Sequence, residues 1–159
     1  MTDTPDIRAE ILARATRAGL TITTAESCTG GMVAAALTDL PGSSTIFERG
    51  FVTYSNAAKT DLLGVSTDTL AAHGAVSEAV AGEMAAGARH QARADIAVAV
   101  TGIAGPGGSE FKPEGRVCFG LNYGSEALVE KMDFGALGRD AVRRAARDHA
   151  LNLILSALP

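Results

Sequence analysis

Aromatic residues are scarce: there is no Trp, two Tyr and five Phe, 4% of the chain in all. A core without large rings has to be aliphatic and alanine-rich, with its elements packed close together. Cysteine is nearly absent, and two residues, Cys28 and Cys118, exclude a disulfide framework and favour a reducing compartment. Excess positive charge is lacking too. Fourteen Lys+Arg stand against 18 Asp+Glu, a net charge of −4, whereas a non-specific nucleic-acid binder needs a basic field. The longest apolar runs, Met32–Leu37 and Ile96–Val100, fall far short of the ~20 residues that span a membrane. The opening MTDTPDIRAE has no apolar stretch of the kind a secretion signal needs, so a cytoplasmic protein without membrane or nucleic-acid partners is expected. No linker, repeat or low-complexity tract divides the chain.

What is present is a 159-residue chain, 47% hydrophobic and 20% charged, with 18 Gly. One domain over residues 1–159 fits that length, with enough core to fold unaided. Helical and extended patterns alternate, which predicts an α/β fold: a three-layer sandwich, a mixed sheet with helices on both faces. Thr4 with Pro5 suits the start of a first helix that Gly19 stops. Leu20–Thr24 reads as a buried strand, Gly31–Asp39 as a small-residue helix and Ile46–Tyr54 as a second strand. A short helix is expected over Ala57–Leu63, and a long one opened by Ser77 runs to about Arg93. Asp95–Thr101 is the clearest buried strand. Val117–Tyr123 and Ala127–Asp133 flank a turn and suit a hairpin, and the last helix runs from Arg139 to Leu158.

Three polar or glycine-rich segments directly follow apolar strands, where open α/β sheets form their sites. In Ala25-Glu26-Ser27-Cys28-Thr29-Gly30-Gly31 a hydroxyl sits between strand and helix, followed by glycines that allow close approach to the backbone. That suits a serine nucleophile beside an oxyanion hole built on Cys28–Gly30, a phosphate cradle without chemistry, or plain helix capping by Ser27 or Thr29. Cys28 is the rival nucleophile. It would need a base, and His73, His90 and His149 have structural settings. In Tyr54-Ser55-Asn56-Ala57-Ala58-Lys59, capping by Ser55 or Asn56 puts Lys59 in the first turn of a helix. A cation is disfavoured there, so a partly buried Lys59 would be biased to its neutral form and could act as a base; the bland alternative is a solvated lysine. Tyr54 is near enough in sequence to relay a proton or to donate to the oxyanion. Thr101-Gly102-Ile103-Ala104-Gly105-Pro106-Gly107-Gly108 matches neither the P-loop nor the dinucleotide fingerprint, but its amides could nest an anion. Arg139 and Arg143 share the apolar stripe of the last helix with Val142 and Ala146, which implies a buried anion: an acidic residue, a ligand phosphate or a subunit contact.

These motifs, together with Val52–Lys59, Gly74-Ala75-Val76-Ser77-Glu78 and Val100–Gly107, resemble the CinA C-terminal domain family over residues 5–157. The family includes stand-alone nicotinamide mononucleotide deamidases and the C-terminal part of longer competence/damage-inducible proteins; the chain resembles the stand-alone form. The resemblance implies hydrolysis of nicotinamide mononucleotide to nicotinic acid mononucleotide and ammonia, with no metal or other cofactor. It places the nucleophile on Ser27 and further catalytic roles on Tyr54 and Lys59. Substrate contacts are expected from Cys28, Thr29, Gly30 and Gly31, from Thr101, Gly102, Gly105 and Gly107, and from Arg139 or Arg143. Small apolar helix faces and the family's habits imply a homo-oligomer such as a dimer. Two departures stand out. The family's Gly-Asp-Arg before the last helix is Gly135-Ala136-Leu137-Gly138-Arg139 here, so the acidic partner of the arginine is missing. Arg116 also stands where a smaller residue is usual. The missing acidic partner, with the family's association with DNA-uptake and damage genes, keeps a second reading open: a nucleotide-binding regulatory module, without catalysis, linked to competence or DNA damage.

Overall fold

In the computed structural model, which describes residues 5–109 and 111–159, five strands form one mixed sheet between two layers of helices. The strands are β1 (Ile22–Glu26), β2 (Phe51–Val52), β3 (Ile96–Gly102), β4 (Arg116–Tyr123) and β5 (Glu126–Asp133), and the helices are α1 (Ile7–Ala18), α2 (Met32–Thr38), α3 (Asn56–Leu63), α4 (Thr67–His73), α5 (Glu78–Ala92) and α6 (Arg139–Ala157). Sheet order is β2-β1-β3-β4-β5. β2, β1 and β3 run parallel, with Ala25 opposite Ala99, while β4 and β5 complete the sheet as an antiparallel hairpin. The chain leaves β1 for one side and returns to its other side as β3. The crevice beyond the ends of β1 and β3 is therefore a topological switch point.

Side-chain size along β3 decides what each face accepts. Ile96, Val98 and Val100 join Val33 of α2, Ile11 of α1 and Val142, Ala146 and Ile154 of α6 in one core. Ala97 and Ala99 point the other way, against Val80, Met84, Ala85 and Ala88 of α5. The β-branched face supports three helices at a normal distance, whereas the alanine face draws α5 in close. Gly120 of β4 completes that close face: a Cβ there would lie 2.3 Å from the Ala81 carbonyl oxygen. Gly120→Ala is expected to cost about 1–3 kcal/mol through overpacking and to lower the melting temperature by several degrees. An unchanged melting temperature would mean that α5 can retreat.

The structure differs from the sequence expectations at four elements. Thr4 lies outside the described residues, and Pro5 is not helical; α1 is capped by Asp6, whose carboxylate accepts the Arg8 N–H. A carboxylate at that point also meets the helix dipole favourably. The first strand is shifted two residues along from the expected Leu20–Thr24, to Ile22–Glu26, because Ala25 and the polar Glu26 are wholly buried in the sheet. Only Phe51–Val52 of the expected strand Ile46–Tyr54 pairs with β1. The stretch before it enters through a 3₁₀ turn at Ser43–Thr45, and Gly50 crosses the Thr24 hydroxyl so closely that a Cβ would come within 2.6 Å of it. The seven-residue α4 has no buried residue, so it left no apolar period to read.

Candidate active site

Ser27, first residue beyond β1, is held by its N–H bond to Val100 O of β3 (2.9 Å) and is nearly buried. Lys59 sits in the first turn of α3, which Ser55 caps by accepting the Ala58 N–H. Its side chain is 1% exposed, and its Nζ lies 3.0 Å from Ser27 Oγ, 2.9 Å from Thr53 O and 3.3 Å from Tyr54 O. Among the described residues no carboxylate forms an ion pair with it. Burial pushes the Lys59 amine below the usual lysine range, because desolvation penalises the ammonium. In the neutral amine, the two carbonyls can take its two N–H groups. The lone pair is then left for the Ser27 hydroxyl, the geometry of a base rather than of a salt bridge.

Cys28 offers the opposite electrostatics. Its thiol is 4% exposed and packed in the core, and burial, with Glu26 as a lesser cause, pushes it up to about 12. Among the described residues no histidine lines the cavity beside it. A protonated thiol without a base is a poor nucleophile.

The Ser27–Lys59 pair opens on a cavity of about 320 Å³, at the small end of the range for small-molecule sites. Of the residues singled out in the sequence, Ser27, Cys28, Tyr54, Lys59, Thr101, Gly102, Gly105, Gly107 and Arg139 all line it. Ala75 and Val76 complete the wall, and Thr101 reaches across to them through its hydroxyl, which donates to Ala75 O (2.9 Å). Thr29, Gly30, Gly31 and Arg143 are not among the lining residues; they lie behind the cavity, in and against the turn into α2. Tyr54 and Arg139 form the mouth: Arg139 Nη2 donates to Tyr54 Oη and Nη1 to Gly105 O, each at 2.8 Å. The Tyr54 hydroxyl is thus engaged at the rim, while its main-chain carbonyl is what reaches Lys59.

Arg139 and Arg143 of α6 part company. Arg139, read as inward-facing, is exposed, and Arg143 is half-buried. Neither forms an ion pair among the described residues, so the acidic-residue explanation fails. Neutral oxygens satisfy both, and the Arg139 charge remains uncompensated at the cavity mouth. Arg116, the other departure, pairs with Asp133 (2.9 Å) across β4–β5, away from the cavity wall.

Two carboxylates that sequence reasoning passed over change the anion-binding picture. Glu26, wholly buried, accepts from the Thr29 hydroxyl (2.7 Å) and from the N–H groups of Val33 (2.9 Å) and Ala34 (3.0 Å). The N-terminus of α2 therefore already holds its anion. Glu114 does the same for the glycine-rich loop. Its Oε1 accepts the Gly107 N–H (2.7 Å) and lies 2.2 Å from where a Gly105 Cβ would stand. The expected anion nest is thus filled from within the protein, and Gly105 must lack a side chain to admit it. An acidic residue at the end of an apolar strand was the available signal for Glu26. Nothing local marked Glu114, since its partners are seven and nine residues back.

The turn after Ser27 also differs from the expected set of oxyanion donors. Gly30 N–H is taken by Ser27 O (3.1 Å) and Met32 N–H by Thr29 O (3.0 Å). Among the described residues the amides of Cys28 and Thr29 have no such partner, which leaves Cys28 N–H as the donor nearest the serine.

The model of the CinA C-terminal domain matches residues 4–158 of the chain. The nicotinamide-nucleotide amidohydrolase PncC of Escherichia coli (strain K12) is 56% identical over 137 residues, 86% of this chain and 83% of that protein. A CinA-like protein of Chloroherpeton thalassium is 52% identical over 145 residues, 88% of this chain but 34% of its own length. Among solved structures, the competence/damage inducible protein CihA from Agrobacterium tumefaciens superposes with a TM-score of 0.89 at 46% identity, covering 98% of each chain. A CinA superfamily protein from Enterobacter cloacae does so with a TM-score of 0.92 at 34% identity, covering 100% of this chain and 99% of that one.

Proposed function

The chain belongs to the CinA C-terminal domain family, and from that premise we propose that it hydrolyses the carboxamide of nicotinamide mononucleotide by a serine–lysine mechanism. The observation that carries the chemistry is the 3.0 Å approach of Lys59 Nζ to Ser27 Oγ, with the lysine buried and without a carboxylate partner. The substrate comes from PncC of E. coli, a nicotinamide-nucleotide amidohydrolase by name.

In this mechanism neutral Lys59 takes the Ser27 proton as Oγ attacks the amide carbon. The carbonyl oxygen becomes an oxyanion facing Cys28 N–H. Collapse of the tetrahedral intermediate breaks the C–N bond, and Lys59 returns its proton to the leaving nitrogen, which departs as ammonia. Water, deprotonated by the same amine, then attacks the Ser27 ester and releases the carboxylate product and the free hydroxyl. Thr53 O and Tyr54 O keep the amine aimed throughout. Arg139, uncompensated and hydrogen-bonded to Tyr54, takes the substrate phosphate at the mouth, because Glu114 repels an anion from the loop amides. Thr101 and Gly102 line the path between mouth and serine. No step needs a metal or cofactor.

Within the same reading the enzyme works in pyridine nucleotide salvage in the cytoplasm, as a homo-oligomer. Two buried free thiols, Cys28 and Cys118, suit a reducing compartment. No helix among the described residues is long and apolar enough to cross a membrane.

Incubating the purified protein with nicotinamide mononucleotide is expected to yield equal amounts of ammonia and nicotinic acid mononucleotide, read by coupled assay and chromatography. Binding without ammonia release would favour a regulatory module instead.

A further inference from the structure

Of the peptide units between Ser27 and α2, the first three each have their carbonyl committed. Ser27 O accepts the Gly30 N–H (3.1 Å). Cys28 O accepts Arg143 Nε–H (3.0 Å), and Thr29 O accepts from Arg143 Nη2 (3.4 Å). In a trans peptide the N–H points opposite to the C=O of the same plane. Thr29 O, held by the Met32 N–H (3.0 Å) with Arg143 as a second, longer donor, turns the Gly30 N–H back toward Ser27 O. That bond in turn directs the Cys28 N–H the other way, toward the cavity that Cys28 lines. By holding Cys28 O, Arg143 also keeps that carbonyl from rotating toward the serine, where it would repel an oxyanion.

The rest of the site makes room for this clamp. Gly30 has φ +57°, and a Cβ there would sit 3.4 Å from Arg143 Nη2. Arg143 springs from α6 on the far side of the turn and is half-buried, with no ion pair among the described residues. Its planar fork spans two consecutive carbonyls, which a point charge could not do with the same geometry.

We propose that Arg143 is a positioning residue for the oxyanion: it fixes the peptide planes after Ser27 so that the Cys28 amide faces the reacting carbonyl, and it does not touch the substrate phosphate. This rests on the serine mechanism above. The test is therefore run both with and without the natural substrate.

The variant is Arg143→Met, with thermal melting checked first. Ser27 is labelled with diisopropyl fluorophosphate, whose phosphoryl oxygen occupies the oxyanion position, and the rate is followed by mass spectrometry. In parallel, kcat and KM are measured on nicotinamide mononucleotide and on the phosphate-free riboside. Labelling is expected to slow by on the order of 10²-fold, the scale of losing one oxyanion donor. kcat is expected to fall by a similar factor on both substrates with KM nearly unchanged, and the pH profile should keep its shape. A rise in KM confined to the phosphorylated substrate, with labelling at the wild-type rate, overturns the proposal and returns Arg143 to phosphate binding. If the wild type releases no ammonia, the substrate reading has failed, and labelling alone decides about Arg143. Should Arg143→Met not fold, Arg143→Lys carries the test. Slower labelling at wild-type KM supports the clamp, and wild-type labelling overturns it.

Discussion

Ser27→Ala is expected to lower ammonia release from nicotinamide mononucleotide by about 10⁴-fold or more while leaving melting temperature and substrate affinity close to wild type. Loss of a serine nucleophile removes the covalent route altogether, and removals of this kind reach on the order of 10⁶-fold elsewhere. The fold should tolerate the change. Alanine keeps the Ser27 N–H bond to Val100 O, and the hydroxyl's only protein hydrogen bond among the described residues is with Lys59. Cys28→Ala is the matched control. Its thiol is core-packed and pushed up to about 12, so removing it should lower stability by a modest cavity term and leave turnover within a few-fold. Full activity in Ser27→Ala together with its loss in Cys28→Ala would move the nucleophile to sulfur.

Lys59→Met is expected to reduce kcat by about 10³- to 10⁴-fold, the upper range for general-base catalysis combined with the lost orientation of Ser27. Methionine has nearly the length of lysine and fills the same buried space, so what the variant removes is the amine. The wild-type pH profile supplies the second half of the test. Burial holds the Lys59 amine below the usual lysine range, and the neutral form is the active one. The rate should therefore rise as pH climbs through that lowered value and level off above it, falling tenfold per unit on the acid side. The linked stability has the same sign. Between the folded and the ordinary value the unfolded chain binds more protons, so stability rises with pH across that window and is lower beneath it. In Lys59→Met both dependences should vanish. A residual rate that keeps the wild-type acid limb would assign the base to another group.

Much of this site could be read from the linear chain because its parts are local. A hydroxyl followed by glycines after an apolar strand, a lysine four residues past a capping serine, and a glycine-rich segment after Ile96–Val100 each signal themselves within a dozen residues. The α/β alternation did the same for the sandwich. Less legible were the elements whose stability comes from elsewhere. β2 pairs over two residues through β1, and α4 buries nothing. The stretch Thr23–Glu26 continues the strand into the core although three of its four residues are polar, with Thr23 and Glu26 hydrogen-bonded there.

Sequence by itself determined the layer order, the candidate serine and lysine, and the family. It also argued against a disulfide scaffold, with only two cysteines, since all of these follow from residue type and short-range periodicity. Only the tertiary structure decided that Lys59 loses its solvent and meets Ser27 across 32 residues of chain. It alone showed Glu26 and Glu114 filling both expected anion cradles, with Arg139 reaching the mouth while Arg143 grips the turn behind it. The physical reason is common to all of these. Desolvation and hydrogen-bond direction depend on which groups converge from distant segments, and no local pattern encodes that convergence.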